Sequence, residues 1–344
     1  MITLQIENLS KTYDKNTVVT DFSLEVAKGE IVALIGESGS GKSTILKMIS
    51  GFEKPSAGSI EINNETVCSK QVFVEPENRQ VAMVFPDHSL FPHLSAEKNI
   101  AFALNKHSRS ERKRIVNQML QLIGLEELRK NKPHQMSSGQ LQRIALARSL
   151  AFQPKLLLLD EPLSKLDVML KKRMREEIKQ IITQTETTTI LVTHDKEDAF
   201  VIADRVVVLK DGVTQQMDTP EGIYFKPKNE YVAHFFGRVN TIHAERNGKG
   251  YNTPLGCIQA KENGECCRVL IRPENLNIGQ QSDDAIPATI TKITFYGQQK
   301  ELQLQLCESQ QLITVVIPNY EKVNVGQQLF CKLNTEELTS WAMV

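Results

Sequence analysis

A chain of 344 residues, 40% apolar and 24% charged, has the composition of a folded globular protein with two or three domains. Lys plus Arg is 41 and Asp plus Glu is 41, so no net positive field points to nucleic acid. The longest apolar runs fall short of the roughly 18 residues that span a bilayer, and residues 1–6 alternate like a strand rather than a signal peptide. A cytosolic chain is therefore expected, reaching a membrane only through a partner. The six cysteines (Cys68, Cys257, Cys266, Cys267, Cys307, Cys331) lack C-x-x-C spacing and are expected as free thiols. Cys266 and Cys267 are adjacent, a poor geometry for a disulfide, with no histidine close in sequence to complete a metal site.

Along the chain, Ile31-Val32-Ala33-Leu34-Ile35 is an apolar run that predicts a strand buried on both faces. Gly36-Glu37-Ser38-Gly39-Ser40-Gly41-Lys42-Ser43 follows and fits G-x-x-x-x-G-K-[ST], the loop that cradles nucleoside triphosphate phosphates. Its glycines let backbone N–H groups turn inward as an anion nest. Lys42 is expected to reach the terminal phosphates and Ser43 to face Mg2+. Residues 44–49 have helical spacing, beginning at Thr44, which completes the expected nucleotide site, and Gly51 marks the stop. Strand, loop and helix are the context this motif requires.

Gln80-Val81-Ala82-Met83-Val84-Phe85 predicts another strand, and residues from about 87 to 153 read as a helical insertion. Ile115, Met119 and Leu122 share one helical face, with Val116, Leu120 and Ile123 beside them and Gly124 ending the run. The charged stretch 109–114 reads as a solvated helix start. In Met136-Ser137-Ser138-Gly139-Gln140, Ser137 and Gln140 have the S-x-x-Q spacing of a capping box. That helix start is also a second anion-grade site, with exposed N–H groups at the positive end of a dipole.

Leu156-Leu157-Leu158-Leu159-Asp160-Glu161 is a buried strand ending in two carboxylates. Asp160 is expected to hold Mg2+, directly or through water, and Glu161 to accept a proton from the attacking water and orient it. Thr188-Thr189-Ile190-Leu191-Val192-Thr193 is a third strand, followed by His194. Ligands of open parallel sheets bind beyond the carboxyl ends of the strands, which makes His194 a candidate sensor of the terminal phosphate. From about Gly237 the pattern changes to short strands and turns: residues 301–306 alternate with period two, residues 314–317 form another strand, and polar loops at 246–250 and 279–284 separate such segments.

In their order, these motifs resemble the ATPase subunit of ATP-binding cassette (ABC) transporters. The P-loop is followed by Met136-Ser137-Ser138-Gly139-Gln140 (family L-S-G-G-Q), then residues 156–161, then Ser164-Lys165-Leu166-Asp167 (family S-A-L-D), then His194. The resemblance implies an α/β P-loop NTPase cassette with a helical insertion over residues 1–236, then a small all-β domain of TOBE or oligonucleotide-binding-barrel type over residues 237–344. It implies ATP and Mg2+ as cofactors and two copies closing head to tail, so that Ser137, Ser138, Gly139 and Gln140 of one copy meet the ATP on the other copy's P-loop. Tyr13 takes the place of the family's adenine-stacking aromatic, Glu161 that of the general base, His194 that of the residue holding the terminal phosphate, and Asp167 that of the residue coupling the two sites. Three positions depart from the pattern: Pro86 replaces a glutamine that contacts magnesium, Ser138 a glycine, and Lys165 a small residue. Proline offers no side-chain acceptor and no N–H, so that role does not carry over to position 86; Asp87 is the carboxylate placed to substitute.

Ile271-Arg272-Pro273-Glu274 is similar to the recurring R-P-E segment of the TOBE-type domains of bacterial solute importers. An oligonucleotide-binding barrel is the other reading of this tail, but such barrels need basic grooves and stacking aromatics, and aromatics are few. The expected complex has two copies of this chain at the cytoplasmic face of the inner membrane, two membrane-spanning permease subunits and an external solute-binding protein. Gly51-Phe52-Glu53-Lys54-Pro55 and Leu90-Phe91-Pro92-His93-Leu94 are similar to segments of iron(III), polyamine, sulfate and sugar importers, and the overall wording of the chain resembles the iron(III) group most. Two other classes stay open from sequence: a soluble ABC ATPase acting on ribosomes or DNA, and a nucleotide-binding regulatory subunit with weak hydrolysis.

Overall fold

A computed structural model describes residues 1–87, 89–247, 250–258, 266–281, 285–334 and 339–342. Parts of the expected loops 246–250 and 279–284, and the side chains of Cys266 and Cys267, lie outside the described residues. Cys68, Cys257, Cys307 and Cys331 are free thiols. Among the described residues no helix is long and apolar enough to cross a membrane. The chain divides into two compact units, Met1–Pro220 and Glu221–Val344. The boundary expected from sequence, at 236/237, falls later, beyond two short helices that belong to the second unit.

The first unit runs β1 (Ile2–Tyr13), β2 (Asn16–Ala27), β3 (Ile31–Gly36), α1 (Lys42–Ser50), β4 (Ala57–Ile62), β5 (Glu65–Cys68), β6 (Val81–Val84), α2 (Ala96–Phe102), α3 (Arg109–Leu122), α4 (Ser138–Leu150), β7 (Leu156–Asp160), α5 (Val168–Gln184), β8 (Thr189–Thr193), α6 (Lys196–Ile202), β9 (Arg205–Lys210) and β10 (Val213–Asp218). One sheet is antiparallel, in the order β2-β1-β4-β5; the other has the order β10-β9-β3-β8-β7-β6 and is parallel except for β10. Every residue of β3 and β8 is buried, as the unbroken apolar runs predict for parallel strands covered on both faces. Helix α1 packs between the sheets: Ile45, Leu46, Met48 and Ile49 share one core with Leu4 and Ile6 of β1 and with Val32 and Leu34 of β3. Each such side chain contributes about 1.5–3 kcal/mol on burial.

The far end of α1 is held by a residue the motif reading passed over. Arg79, 2% exposed, donates to Met48 O at 2.8 Å, Ile49 O at 2.9 Å and Val74 O at 2.7 Å. It places a cation on the last carbonyls of the P-loop helix, where the macrodipole is negative. Gly51 closes the helix at φ 87°, and a Cβ there would meet Arg79 Nε at 2.7 Å, so glycine is required by backbone and by space. Arg79→Met keeps the bulk but takes the arginine donor from Ile49 O and Val74 O, each costing about 1–3 kcal/mol if left unsatisfied, while Met48 O keeps the Gly51 N–H at 3.3 Å. With the relief of no longer burying a charge, the net cost is expected near 3 kcal/mol. Calorimetry should show the first unit melting roughly 6–12 °C lower; an unchanged midpoint would mean that water re-satisfies those carbonyls.

Helices α2, α3 and α4 lie between β6 and β7, where the insertion was expected. The stripe that α3 and its end bury is Ile115, Val116, Leu120 and Ile123, whereas Met119 and Leu122 are only half-buried. The charged start of α3 is solvated apart from Arg112, and Ser108 caps it by accepting from Glu111 N at 3.3 Å.

The second unit begins with α7 (Pro220–Phe225, whose first residue ends the first unit) and α8 (Glu230–Phe236). It continues with β11 (Asn240–Asn247), β12 (Gly250–Thr253), β13 (Gly256–Ile258), β14 (Cys266–Ile271), β15 (Leu276–Gly279), β16 (Ile286–Phe295), β17 (Gln299–Leu306), β18 (Leu312–Pro318), β19 (Gln328–Leu333) and β20 (Thr339–Ala342). Two five-stranded sheets, β13-β12-β11-β14-β20 and β15-β19-β16-β17-β18, share one apolar core. The alternating run 301–306 lies in β17 and puts Leu302, Leu304 and Leu306 into that core. The R-P-E segment acts as a clasp. Arg272 donates to Ala233 O at 2.9 Å and Tyr224 O at 3.2 Å, and its guanidinium lies 4.2 Å from the Tyr224 ring centroid. The Tyr224 hydroxyl donates to Glu274, and burial together with that carboxylate pushes its pKa up to about 12. The segment thus ties α7 and α8 to the start of the β-rich part.

Candidate functional site

Strand register gathers the site. Ile35 of β3 pairs with Thr193 of β8, and Asp160 of β7 pairs with Val192 of β8. The carboxyl ends of three neighbouring strands therefore finish at one level. Since β8 lies between β3 and β7, the His194 that follows it stands between the glycine loop and Glu161. A cleft of about 420 Å³ opens there, lined by Val18, Ser38, Gly39, Gly41, Lys42, Ser43, Thr44, Glu161 and His194.

The loop has the form that a phosphate cradle needs. A Cβ on Gly36 would meet Leu209 O at 2.2 Å, and one on Gly41 would meet Val18 O at 2.8 Å with φ at +96°. Only glycine brings the backbone this close. Helix α1 begins without a side-chain cap on its N-terminal N–H groups, the arrangement that suits an anion. Lys42 is buried and its ammonium donates to Gly36 O at 2.9 Å, Glu37 O at 2.7 Å and Ser40 Oγ at 3.2 Å. Burial lowers its pKa, while the carboxylates of Glu161 and Asp160 act the other way.

Ser43 Oγ lies 3.4 Å from Asp160 Oδ1. Burial raises the Asp160 pKa, and the neighbouring Glu161 charge adds to the rise, so this carboxylate sits where a cation would relieve it. A hydroxyl and one carboxylate form the donor set that Mg2+ takes when phosphate oxygens complete its shell. Glu161 has φ at +45°, a left-handed turn that swings the chain off β7, and its N–H donates to Val192 O at 2.9 Å. Its carboxylate is 3.3 Å from His194 Nδ1, and His194 is 56% exposed. The arrangement can hold a polyphosphate, take one divalent cation, and present a carboxylate and an imidazole together at the edge of the cleft.

Other expected residues lie elsewhere. Tyr13 is 41% exposed and does not line the cleft; burial and the nearby Glu53 raise its pKa, Thr44, which does line the cleft, acts the other way, and Lys11 Nζ sits 4.6 Å from its ring centroid. Ser137 caps α4: its Oγ accepts from Gln140 N at 3.4 Å, and Gln140 Oε1 accepts from Ser137 N at 2.9 Å. A Cβ on Gly139 would lie 3.3 Å from Leu170 and Met174 of α5. Asp167 caps α5 through Leu170 N at 3.0 Å. Neither Asp167 nor residues 137–140 line this chain's own cleft. Pro86 and Asp87 follow β6 and do not line it either; Asp87 accepts from Ser89 Oγ at 2.8 Å.

Sequence reasoning missed Val18, which arrives from the antiparallel sheet and carries no motif. It also missed Arg175, whose partners lie about twenty residues ahead on another helix; a lone arginine in an amphipathic helix gives no signal.

The fold agrees with what known proteins show. The ABC transporter family model matches residues 19–164, and the TOBE domain model matches residues 269–339. The spermidine/putrescine import ATP-binding protein PotA of Aliivibrio fischeri is 36% identical, over 99% of this chain and 95% of that protein. The Fe(3+) ions import ATP-binding protein FbpC of Vibrio cholerae serotype O1 is 35% identical, over 90% and 89%. A dimeric ATP-binding cassette solved in a post-hydrolysis state with ADP and Pi superposes with a TM-score of 0.55 at 30% identity, covering 63% of this chain and 98% of that one. With relatives 35–36% identical that match over 89–95% of their own length, the chain belongs to the ABC transporter family, as an importer-type ATP-hydrolysing subunit with a C-terminal TOBE domain.

Proposed function

We propose that this chain powers iron(III) import across the inner membrane, as one of two identical cassettes at its cytoplasmic face. The observation that carries its ATPase role is the convergence of Lys42, Ser43, Asp160, Glu161 and His194 at one sheet edge. In this reading residues 36–44 hold the phosphates, and Ser43 with Asp160 takes the magnesium. Bound Mg2+ supplies charge neutralisation on the phosphate oxygens. Glu161 accepts the proton of the attacking water, and His194 holds the terminal phosphate. Tyr13 offers the adenine the ring face that Lys11 leaves open. Residues 137–140 close the partner copy's site, and Asp167 couples the two. Two permease subunits and an external solute-binding protein complete the complex. The functional cassette extends to residue 236, with α7 and α8 leading into the β-rich regulatory domain.

Iron(III) is favoured by the overall wording of the chain, which is nearest to that group. Polyamine is the second reading, because the relative named for spermidine and putrescine import matches over the greater share of its length. Uptake separates them. The chain is expressed with its neighbouring permease and binding-protein genes in cells lacking their own iron(III) and polyamine importers. Energy-dependent uptake of labelled iron(III), lost in Lys42→Ala, is expected. Spermidine uptake in its place transfers the assignment to polyamines, and uptake of neither removes both.

A further inference from the structure

Helix α5 buries an arginine against three carboxylates on the segment that carries His194. Arg175 is 5% exposed. Its Nε donates to Asp198 Oδ1 at 2.6 Å, its Nη2 to Asp195 Oδ2 at 2.9 Å, and its Nη1 to Glu197. Thr193 closes the web: its Oγ1 donates to Asp198 Oδ2 at 2.9 Å and accepts from Asp195 N at 3.0 Å. Lys171, one turn earlier on α5, stands 3.5 Å from Asp195 Oδ2. His194 lies between Thr193 and Asp195, so both its chain neighbours are pinned while its own ring is largely open and faces Glu161 at 3.3 Å. The ring's place is thus set by its backbone rather than by packing around it. A forked guanidinium is what such a web needs, since an ammonium cannot reach three carboxylates in one plane.

We propose that Arg175 is a positioning residue that fixes the backbone of His194, and through it the ring, beside Glu161. The proposal rests on the reading of His194 as the holder of the terminal phosphate. Arg175 touches neither Lys42, Ser43 nor Asp160 in the contacts described here, so its loss should spare nucleotide binding and slow turnover.

The test uses the full-length chain as Arg175→Lys, His194→Ala, the double variant, and Thr193→Val, a milder change that keeps a β-branched strand residue. Hydrogen exchange without nucleotide reads the geometry directly. In Arg175→Lys the amides of Asp195 and Glu197 should exchange about tenfold faster or more, with residues 42–50 unchanged. ATP affinity should stay within about twofold while single-turnover hydrolysis slows about tenfold or more. In the His194→Ala background the same substitution should cost less than about twofold, the signature of two residues acting as one unit. Thr193→Val should show the same pattern more weakly, which keeps the test alive if Arg175→Lys does not fold. Wild-type exchange and turnover in both Arg175→Lys and Thr193→Val, or an equal loss with and without His194, overturns the Arg175 proposal alone. Wild-type turnover in His194→Ala instead overturns the reading of His194, and this proposal with it.

Discussion

Glu161→Gln is expected to slow ATP hydrolysis about 10²–10³-fold while ATP is still bound, because a positioned general base contributes rate and not ground-state affinity. The substitution is nearly isosteric. It keeps the backbone bond from position 161 to Val192 O and the left-handed turn that aims the side chain. It removes the proton acceptor and one of the two adjacent negative charges beside Lys42. With less negative charge facing the terminal phosphate, ATP should be held as tightly as in the wild type or more so. Steady-state turnover with the membrane partners, and equilibrium nucleotide binding, check this together. A variant as fast as the wild type would show that Glu161 does not activate the water. A variant that loses ATP would show that the carboxylate serves binding instead.

Mixing two inactive chains is expected to rebuild one working site. Lys42→Ala removes a buried ammonium whose charge-assisted bonds are worth about 1.5–3 kcal/mol each, so ATP should bind about 10–100-fold more weakly. Ser137→Arg puts a bulky cation at the exposed start of α4 and removes the capping box, at about 1 kcal/mol, which a cassette of this size tolerates. Neither homodimer has an intact pair of P-loop and signature motif. In a one-to-one mixture with random pairing, about one quarter of the wild-type sites return. Stoichiometry of ATP retained at the closed interface is the readout. Recovery of none would mean that residues 137–140 do not close a neighbour's P-loop, and the dimer would need another interface.

The two experiments bear on different levels of legibility. The P-loop was readable because its geometry is local. Gly36, Gly41, Lys42 and Ser43 stand at fixed spacing in one turn, although the backbone oxygens that crowd Gly36 and Gly41, Leu209 O and Val18 O, come from remote strands. The capping box at Ser137 and Gln140 was readable for the same reason, and both reciprocal bonds are present. The two-sided burial of residues 31–35 followed from composition alone. The helix over 109–122 was placed correctly, and periodicity named its apolar residues, but not how deeply each is buried: Ile115, Val116 and Leu120 are buried and Met119 and Leu122 half-buried. Arg79 and Arg175 were invisible, since most of their acceptors are backbone or carboxylate oxygens remote in sequence, such as Met48 O, Ile49 O and Asp198 Oδ1. Tyr13 was chosen by its place in a family pattern, and the structure sets it next to Thr44 rather than in the cleft lining.

The sequence by itself determined the fold class, the phosphate loop, the identity of the carboxylate pair and the change to a β-rich tail. Each is written in short-range spacing and in strand or helix periodicity, which depend on neighbours along the chain. Tertiary structure alone decided that Asp160, Glu161 and His194 meet the glycine loop, because that depends on strand order β3-β8-β7 and on the register that levels their ends. It also decided that an arginine on α5 holds the segment bearing His194. Hydrogen bonds between residues far apart in sequence leave no periodic trace, so only the folded chain brings those partners together.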